Sequence, residues 1–169
     1  MKLSTQDWKS LKLEDGADSQ SISVRILRLA GAYTEKLAVL ELQTSVSTAR
    51  SVAIRMTPLV PEDRVVTIAY PNQRLRAVAG RFVQYADAGR LAGTALFEIY
   101  EGDNRLVIDY GASGAPVFDC EGRVAAVIST VITQILATPF GEMRIPTAWG
   151  SPNVVSVPVQ QLMELSEAQ

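Results

Sequence analysis

Short apolar stretches recur along the chain at the spacing of β-strands. β-branched and aromatic runs are separated by Gly, Asp, Asn and Pro at intervals of roughly 8–12 residues, which is typical of an all-β barrel or sandwich. In Ser21–Ile26, polar and apolar residues alternate as expected of a strand with one face in water. The strands predicted in the first half are Ile22–Leu29, Leu37–Leu42, Ser51–Arg55 and Arg64–Ala69.

The second half shows the same pattern with more regular turns. Its predicted strands are Val78–Tyr85, Thr94–Tyr100, Arg105–Ile108, Pro116–Phe118, Val124–Thr130 and Val154–Val157. Six strands are enough to close a small antiparallel barrel without an open edge. Thr133–Ser151 is expected to be a long loop. Pro158 suits the first position of a terminal helix over Val159–Glu167, which has apolar residues along one side.

Composition excludes several functional classes. Of the 169 residues 47% are hydrophobic, which is ample for a packed core, and the net charge is −2 with 16 scattered basic residues. No basic face is evident, so we expect no nucleic-acid partner. No apolar run approaches ~18 residues, so we expect no membrane span. Residues 1–10 lack the apolar stretch of a signal peptide, which predicts a cytoplasmic location.

The chain has few residues that bind metals or carry redox chemistry. It contains one cysteine, Cys120, and no histidine. A single thiol cannot form an internal disulfide, and zinc or iron would have almost no preferred ligands. We therefore expect neither a metal nor another cofactor.

The segment with the strongest chemical signal is residues 111–116, which read Gly-Ala-Ser-Gly-Ala-Pro. Gly111 permits a backbone conformation that turns successive N–H groups toward one point. Gly114 leaves space beside the hydroxyl of Ser113, and Pro116 restrains the start of the next strand. The alternative interpretation is a plain Gly/Pro-rich turn in an unrelated β-barrel or sandwich domain that binds other molecules.

Residues 109–130, DYGASGAPVFDCEGRVAAVIST, resemble the serine-bearing hairpin of the trypsin-like (chymotrypsin-fold) peptidases, especially of their HtrA-type branch. Residues 37–40 resemble the strand after the triad aspartate, 61–71 the last strand of the first barrel, and 157–159 the closing strand. The resemblance implies an all-β, chymotrypsin-like double β-barrel. Residues 1–72 would form an incomplete N-terminal barrel, and 73–169 a complete barrel with the serine loop and a short terminal helix.

The same resemblance implies a set of site residues. Ser113 would be the nucleophile, and the amides of Gly111 and Ser113 would form the oxyanion hole. The strand that contains Ser129 and Thr130 would pair with a bound peptide by β-addition. The primary side-chain pocket of the site would be largely apolar, so it would not favour a cationic side chain of the substrate. The residues expected to contact substrate are Val107, Asp109, Ser129, Thr130 and Val155.

Three departures from the family pattern argue against ordinary proteolysis. The catalytic imidazole is absent because the sequence has no histidine. Lys36, preceded by Glu35, stands at the slot for the triad aspartate, and Ala112 replaces the usual acidic or amide residue before the serine. A serine hydroxyl without a base is a poor nucleophile, and loss of triad members leaves only a residual effect of ~10³–10⁴-fold.

Two functional hypotheses from different classes follow. In the first, the chain is a degenerate family member, an inactive pseudo-protease or a scaffold that binds peptides or proteins. An incomplete barrel has unpaired strand edges, so this hypothesis includes self-association or a partner chain that covers it. In the second, the chain is an active serine hydrolase in which Lys36, or a histidine from outside this chain, is the base. The simpler interpretation of Lys36 is an exposed lysine at the start of a strand.

Overall fold

The fold is built almost entirely of antiparallel strands, in two units. The computed structural model describes residues 13–15, 18–22, 24–30, 37–42, 50–71, 74–100, 111–139, 141–146, 150–161 and 163. One unit comprises Met1–Ser51 and the other Val52–Gln169. Each unit has strands of its own and is described separately below.

The first unit contains two separate antiparallel pairs within its described residues. Its strands are β1 (Leu13–Asp15), β2 (Asp18–Ile22), β3 (Val24–Ala30) and β4 (Leu37–Leu42). β1 pairs with β2, and β3 pairs with β4 with Val24 opposite Leu42. The incomplete N-terminal barrel expected from the sequence stays a prediction.

The second unit contains a closed six-stranded barrel. The strands of this unit are β5 (Arg64–Ala69), β6 (Arg76–Tyr85), β7 (Ala95–Ile99), β8 (Pro116–Asp119), β9 (Val124–Val131), β10 (Thr133–Thr138), β11 (Gly141–Pro146) and β12 (Val154–Pro158). Around the barrel the order is β12-β7-β6-β5-β8-β9, and every pairing is antiparallel. Closure leaves no open edge along most of these strands.

The barrel core follows from strict alternation along its strands. In β5, Val65, Thr67 and Ala69 are buried and the residues between them are exposed. The ring of Phe82 lies centrally, 5.5 Å from that of Phe97. Thr67 is the polar member of this row, and its hydroxyl donates to the carbonyl of Pro116 at 2.8 Å. Because that hydrogen bond is made, the hydroxyl can be buried at little cost.

Asn153 links β7 to the chain just before β12. Its side-chain Nδ2 donates to the carbonyl of Ile99 at 2.7 Å, and its Oδ1 accepts from the amide of Ile99 at 2.8 Å. Its own backbone N–H donates to the carbonyl of Phe97 at 2.9 Å. The side chain is fully buried, so it replaces strand pairing where the ladder would otherwise stop.

β5 is a strand of the second barrel, not the last strand of the first barrel as its resemblance to the family suggested. It pairs with β6 from Arg64 opposite Arg81 to Ala69 opposite Arg76, and with β8 on its other side. The units therefore separate after Ser51, whereas the sequence placed the boundary at residue 72. A short connection joins β5 to β6, so the two strands form a hairpin within one sheet. The predicted strand Arg105–Ile108 lies outside the described residues.

Two other segments differ from their predicted structure. Thr133–Ser151 is not a loop throughout, because β10 and β11 form a hairpin that starts with Thr133 opposite Pro146 and ends with Thr138 opposite Gly141. Ser51–Arg55 is not a full strand, since only Ile54 forms a bridge, parallel to Val124. At the carboxyl end, residues 159–161 and 163 are helical, and the remainder of the predicted helix lies outside the described residues.

Candidate active site

Ser113 lies at the surface between two glycines with left-handed backbones. The φ angle is 93° at Gly111 and 89° at Gly114, a conformation that residues with a Cβ adopt at a cost. Two hydrogen bonds extend the β8–β9 pairing into the loop: the Gly114 amide donates to the Ile128 carbonyl at 2.8 Å, and the Ile128 amide donates to the Ala115 carbonyl at 2.9 Å. The loop is therefore held against β9.

Ala112 anchors the loop from inside the barrel. Its side chain is 0% exposed and belongs to the hydrophobic core, whereas Ser113 next to it is exposed. The sequence comparison had treated Ala112 as the loss of a polar tether. In the structure, apolar burial holds this point of the loop, and a carboxylate there would lie in the core.

The hydroxyl of Ser113 donates to the carbonyl oxygen of Ser129 at 3.1 Å. Ser129 is the extra residue of a β-bulge, because Val155 and Ser156 of β12 face Thr130 and Ile128 of β9. Bulges redirect the backbone and are common next to functional sites. The bulge thus explains why the carbonyl of Ser129 accepts a hydrogen bond from Ser113 and does not take part in strand pairing.

The backbone amides of Gly111 and Ser113 have no acceptor among the described residues, while the amides of Gly114 and Ala115 are bonded to Ile128 and Ala112. Amides without an acceptor at an exposed turn can stabilise an anion. Their assignment to an oxyanion hole stays a prediction.

Several residues predicted for the site are not described. Lys36, the candidate base, and Val107 and Asp109, two residues of the predicted pocket, lie outside the described residues. In the described part of the chain, the hydroxyl of Ser113 has the carbonyl of Ser129 as its hydrogen-bond partner. A peptide carbonyl accepts a hydrogen bond but does not take up a proton at neutral pH, so this contact does not activate the serine.

The remaining predicted contact residues lie on β9 and β12. Ser129 is half-buried and Thr130 is exposed. Val155 faces Thr130 across the two strands and is only 2% exposed. Val154 belongs to the barrel core, so Val155 next to it points to the other side of β12. Its role in a substrate pocket stays a prediction.

Sequence reasoning missed a charged cluster at the β8–β9 turn. The Asp119 carboxylate accepts hydrogen bonds from the amides of Glu121 (2.9 Å) and Arg123 (3.0 Å) and from the Arg123 guanidinium (2.8 Å). Arg55 lies 3.8 Å from the same carboxylate. Burial raises the pKa of Asp119, but the hydrogen bonds from Arg123 and Glu121 outweigh it and bring the pKa below its ordinary value. Local sequence patterns cannot reveal this cluster, because the contact between Asp119 and Arg55 spans 64 positions of sequence.

No metal or membrane-spanning feature is found among the described residues. They contain no group of three His, Cys, Asp or Glu side chains that could hold a metal ion. They also contain no helix with the length and apolar character needed to cross a bilayer.

The closed barrel, the strand hairpin and the exposed serine between two glycines define a chymotrypsin-like protein. The chain belongs to the trypsin-like peptidase family, because the family model for the trypsin-like peptidase domain matches residues 3–127. This confirms the resemblance inferred from the serine loop. No curated protein gives a significant match to the sequence.

Solved structures with a similar fold include two proteases. The apo protease domain of MamO from Magnetospirillum magneticum has a TM-score of 0.56 at 13% identity, over 91% of this chain and 72% of that one. The active form of the Rv3671c protease from M. tuberculosis has a TM-score of 0.54 at 14% identity, over 89% of this chain and 62% of that one. The inactive form of Rv3671c also has a TM-score of 0.54, at 13% identity over 86% and 66%. At these identities the likeness concerns the fold, and it does not distinguish an active from an inactive serine loop.

Proposed function

We propose that this chain is a non-catalytic member of the trypsin-like peptidase family that binds extended peptide segments. The observation that supports this proposal most directly is the hydrogen bond from the Ser113 hydroxyl to the Ser129 carbonyl, in a sequence without histidine. The hydroxyl is occupied by an acceptor that cannot serve as a general base. Binding therefore needs only the loop and the adjacent strand, while catalysis needs a group that this contact does not supply.

A short free edge of β9 supports peptide binding. The amide of Ile132 donates to the carbonyl of Asn153 at 2.7 Å, which is the bond expected beside a pair of opposed residues that do not bond to each other. Val131 and Val154 are the next opposed pair, and in an antiparallel ladder such a pair directs its N–H and C=O groups away from each other's strand. β8 pairs with β9 only as far as Val127. The polar backbone groups of Val131 therefore face a side where no paired strand is described.

Within the strand expected to pair with a peptide, this geometry supports Val131 as the contact residue. The backbone of Thr130 faces Val155 across the β9–β12 ladder, whereas that of Val131 faces outward. An extended peptide laid along β9 would use the N–H and C=O of Val131 for β-addition. Its carbonyl end would then lie toward Ser113 and the two amides without acceptors.

A second candidate function is that of an active serine hydrolase, and the backbone amides of Gly111 and Ser113 support it. The N–H groups of Gly111 and Ser113 have no acceptor among the described residues, as an oxyanion hole requires. In this case Lys36, or a histidine from outside this chain, would have to take the proton of Ser113. The exposed thiol of Cys120 suits a reducing compartment, and a cytoplasmic location belongs to the proposal in both cases.

Covalent labelling separates the two functions. The purified chain and its Ser113→Ala variant would each be incubated with a fluorophosphonate probe and measured by intact-protein mass spectrometry. We expect no stoichiometric adduct on either protein. Rapid labelling of the unmodified chain that Ser113→Ala abolishes would overturn the non-catalytic proposal and support the hydrolase.

Peptide binding is tested with a fluorescein-labelled apolar hexapeptide amide and its backbone N-methylated forms, by fluorescence anisotropy. β-Addition uses the amides of alternate residues only. We expect N-methylation of one alternate set to weaken binding at least ~10-fold, and methylation of the other set to have little effect. Equal loss from both sets, or no binding at millimolar peptide, would contradict the peptide-binding proposal.

A further inference from the structure

The outer side of the second barrel carries a row of apolar side chains across four adjacent segments. Val66 of β5 lies opposite Phe118 of β8, which lies opposite Val124 of β9. Val124 in turn forms the parallel bridge with Ile54. Directly opposed residues share one face of a sheet, and their neighbours Val65 and Val117 point into the core. The row therefore lies on the outside of the barrel.

The row is the centre of a larger surface, here called the outer apolar face. It comprises Ile54, Val66, Ile68, Tyr70, Phe118 and Val124, with Val52 and Met56 beside Ile54. Ile68 and Tyr70 continue the exposed alternation of β5 beyond Val66. Six of its members are exposed, and their exposed fractions run from 39% at Val66 to 66% at Met56. Arg64, the exposed residue of β5 that precedes Val66 in the same alternation, borders the face on one side.

This face is large for a surface that stays in water. Its six exposed members present on the order of 500–600 Å², which is at the upper end of the largest patch on a typical monomer, about 300–600 Å². A standard interface buries about 600–1,000 Å² on each partner. With the partly exposed Phe118 and Val124 added, the area is thus near the lower end of what one copy contributes to a stable dimer.

We propose that the outer apolar face is the contact surface of a homodimer, in which a second copy of this chain presents the same face. An isologous contact pairs a patch with itself, so it suits a face that is apolar throughout and buries no charge. Two sheet faces can pack at about 10 Å with their side chains interdigitated. This proposal is independent of whether the serine loop binds peptides.

The charged groove beside the face does not oppose this contact. The groove has a volume of about 630 Å³, and its lining includes Val66 of the outer apolar face together with Arg64, Arg81 and Glu98. The Arg81 guanidinium donates to the Glu98 carboxylate at 2.6 Å and also pairs with Glu62. Because Arg81, Glu98 and Glu62 compensate one another within one copy, these three charges add little repulsion between two copies.

Sedimentation velocity over about 1–100 µM protein tests the proposal directly. We expect the unmodified chain to move from monomer to dimer as concentration rises. Ile68→Glu and Val66→Glu each place a charge in the centre of the contact, and we expect them to raise the dissociation constant at least ~30-fold. Circular dichroism would show whether both variants keep the fold. If either glutamate variant unfolds, Ile68→Thr provides a milder change to another β-branched residue.

Ala92→Glu is the matched control. Ala92 is exposed in the turn between β6 and β7, so this variant adds the same charge at a residue that is not part of the outer apolar face. We expect its dissociation constant to equal that of the unmodified chain. A monomer at every concentration, or an equal weakening by Ala92→Glu and Ile68→Glu, would overturn the proposal.

Discussion

Ser113 and Ser129, sixteen positions apart, are joined by a hydrogen bond of 3.1 Å from hydroxyl to carbonyl. The contact exists because a β-bulge at Ser129 interrupts the β9–β12 register. It occupies the group that a serine peptidase would use as its nucleophile. The same bulge precedes Val131, whose backbone groups face a side without a paired strand among the described residues. One irregularity thus shapes both the hydroxyl's partner and the proposed peptide edge.

Removing this hydroxyl should change stability little. Ser113→Ala deletes one exposed hydrogen bond and leaves no buried group without a partner. We expect the free energy of unfolding to fall by less than ~1 kcal/mol. Urea denaturation measures it, and a loss above about 2 kcal/mol would show that the hydroxyl is a structural element of the loop.

An acidic residue at position 112 should be far more disruptive than one at position 113. Ala112 is 0% exposed in the barrel core, so Ala112→Asp buries a carboxylate without a designed partner and should cost several kcal/mol, ~3 or more. Ser113→Asp is the matched control because its side chain is exposed, and we expect it to stay near the unmodified stability. Thermal unfolding of both variants at neutral pH makes the comparison. Equal stability of the two would contradict the anchoring role of Ala112.

Asn153→Ala should destabilise the barrel where β7 meets β12. The change removes both side-chain hydrogen bonds to Ile99 and leaves buried backbone groups unpaired. With ~1–3 kcal/mol for each such group, we expect a loss of about 2–4 kcal/mol in urea denaturation. Gln160→Ala is a suitable control because its side chain makes one long hydrogen bond, 3.4 Å, to Arg55. A similar small loss in both variants would argue against this role.

Gly80→Ala should destabilise the β6–β7 pair through overlap. A Cβ at Gly80 would lie 2.3 Å from the carbonyl oxygen of Glu98 and 2.7 Å from Cγ1 of Ile99. The carbonyl belongs to the strand backbone and cannot rotate away, so we expect a loss of about 1–3 kcal/mol. Ala77→Ser, at an exposed position of the same strand, should be nearly neutral. Chemical denaturation of the two variants tests this, and an unchanged Gly80→Ala would mean that the strands shift freely.

Stability should fall in acid partly through Asp119. The pKa of this carboxyl in the folded chain lies below its ordinary value of 3.8. The carboxylate therefore contributes stability above about pH 4, and this contribution is lost as pH falls through the lower, folded pKa. Asp119→Asn removes the titrating group, so its melting temperature should be lower at pH 7 and fall less steeply from pH 4 to pH 2. Parallel slopes for the two proteins would contradict this prediction.

Much of the architecture was predictable because it depends on local patterns. The apolar patterns of β5, β8 and β9 are encoded by neighbouring residues, and the structure confirms these three strands. The all-β class and the family followed from these patterns and from residues 109–130, whereas the closed barrel includes β5, which the sequence had not placed in it. The sequence predicted less well which strands pair with one another. β5 was assigned to the wrong barrel because its sequence describes a strand but not which strands lie beside it.

By itself, the sequence determined the strand periodicity, the serine loop with its two glycines, and the absence of an imidazole in this chain. Only the tertiary structure decided that Ser113 meets the carbonyl of Ser129, that Ala112 lies in the core, and that Val66, Phe118, Val124 and Ile54 form one exposed row. The physical reason is that periodicity and backbone freedom are properties of consecutive residues. Register, bulges and barrel closure are instead set by contacts between segments far apart in the chain.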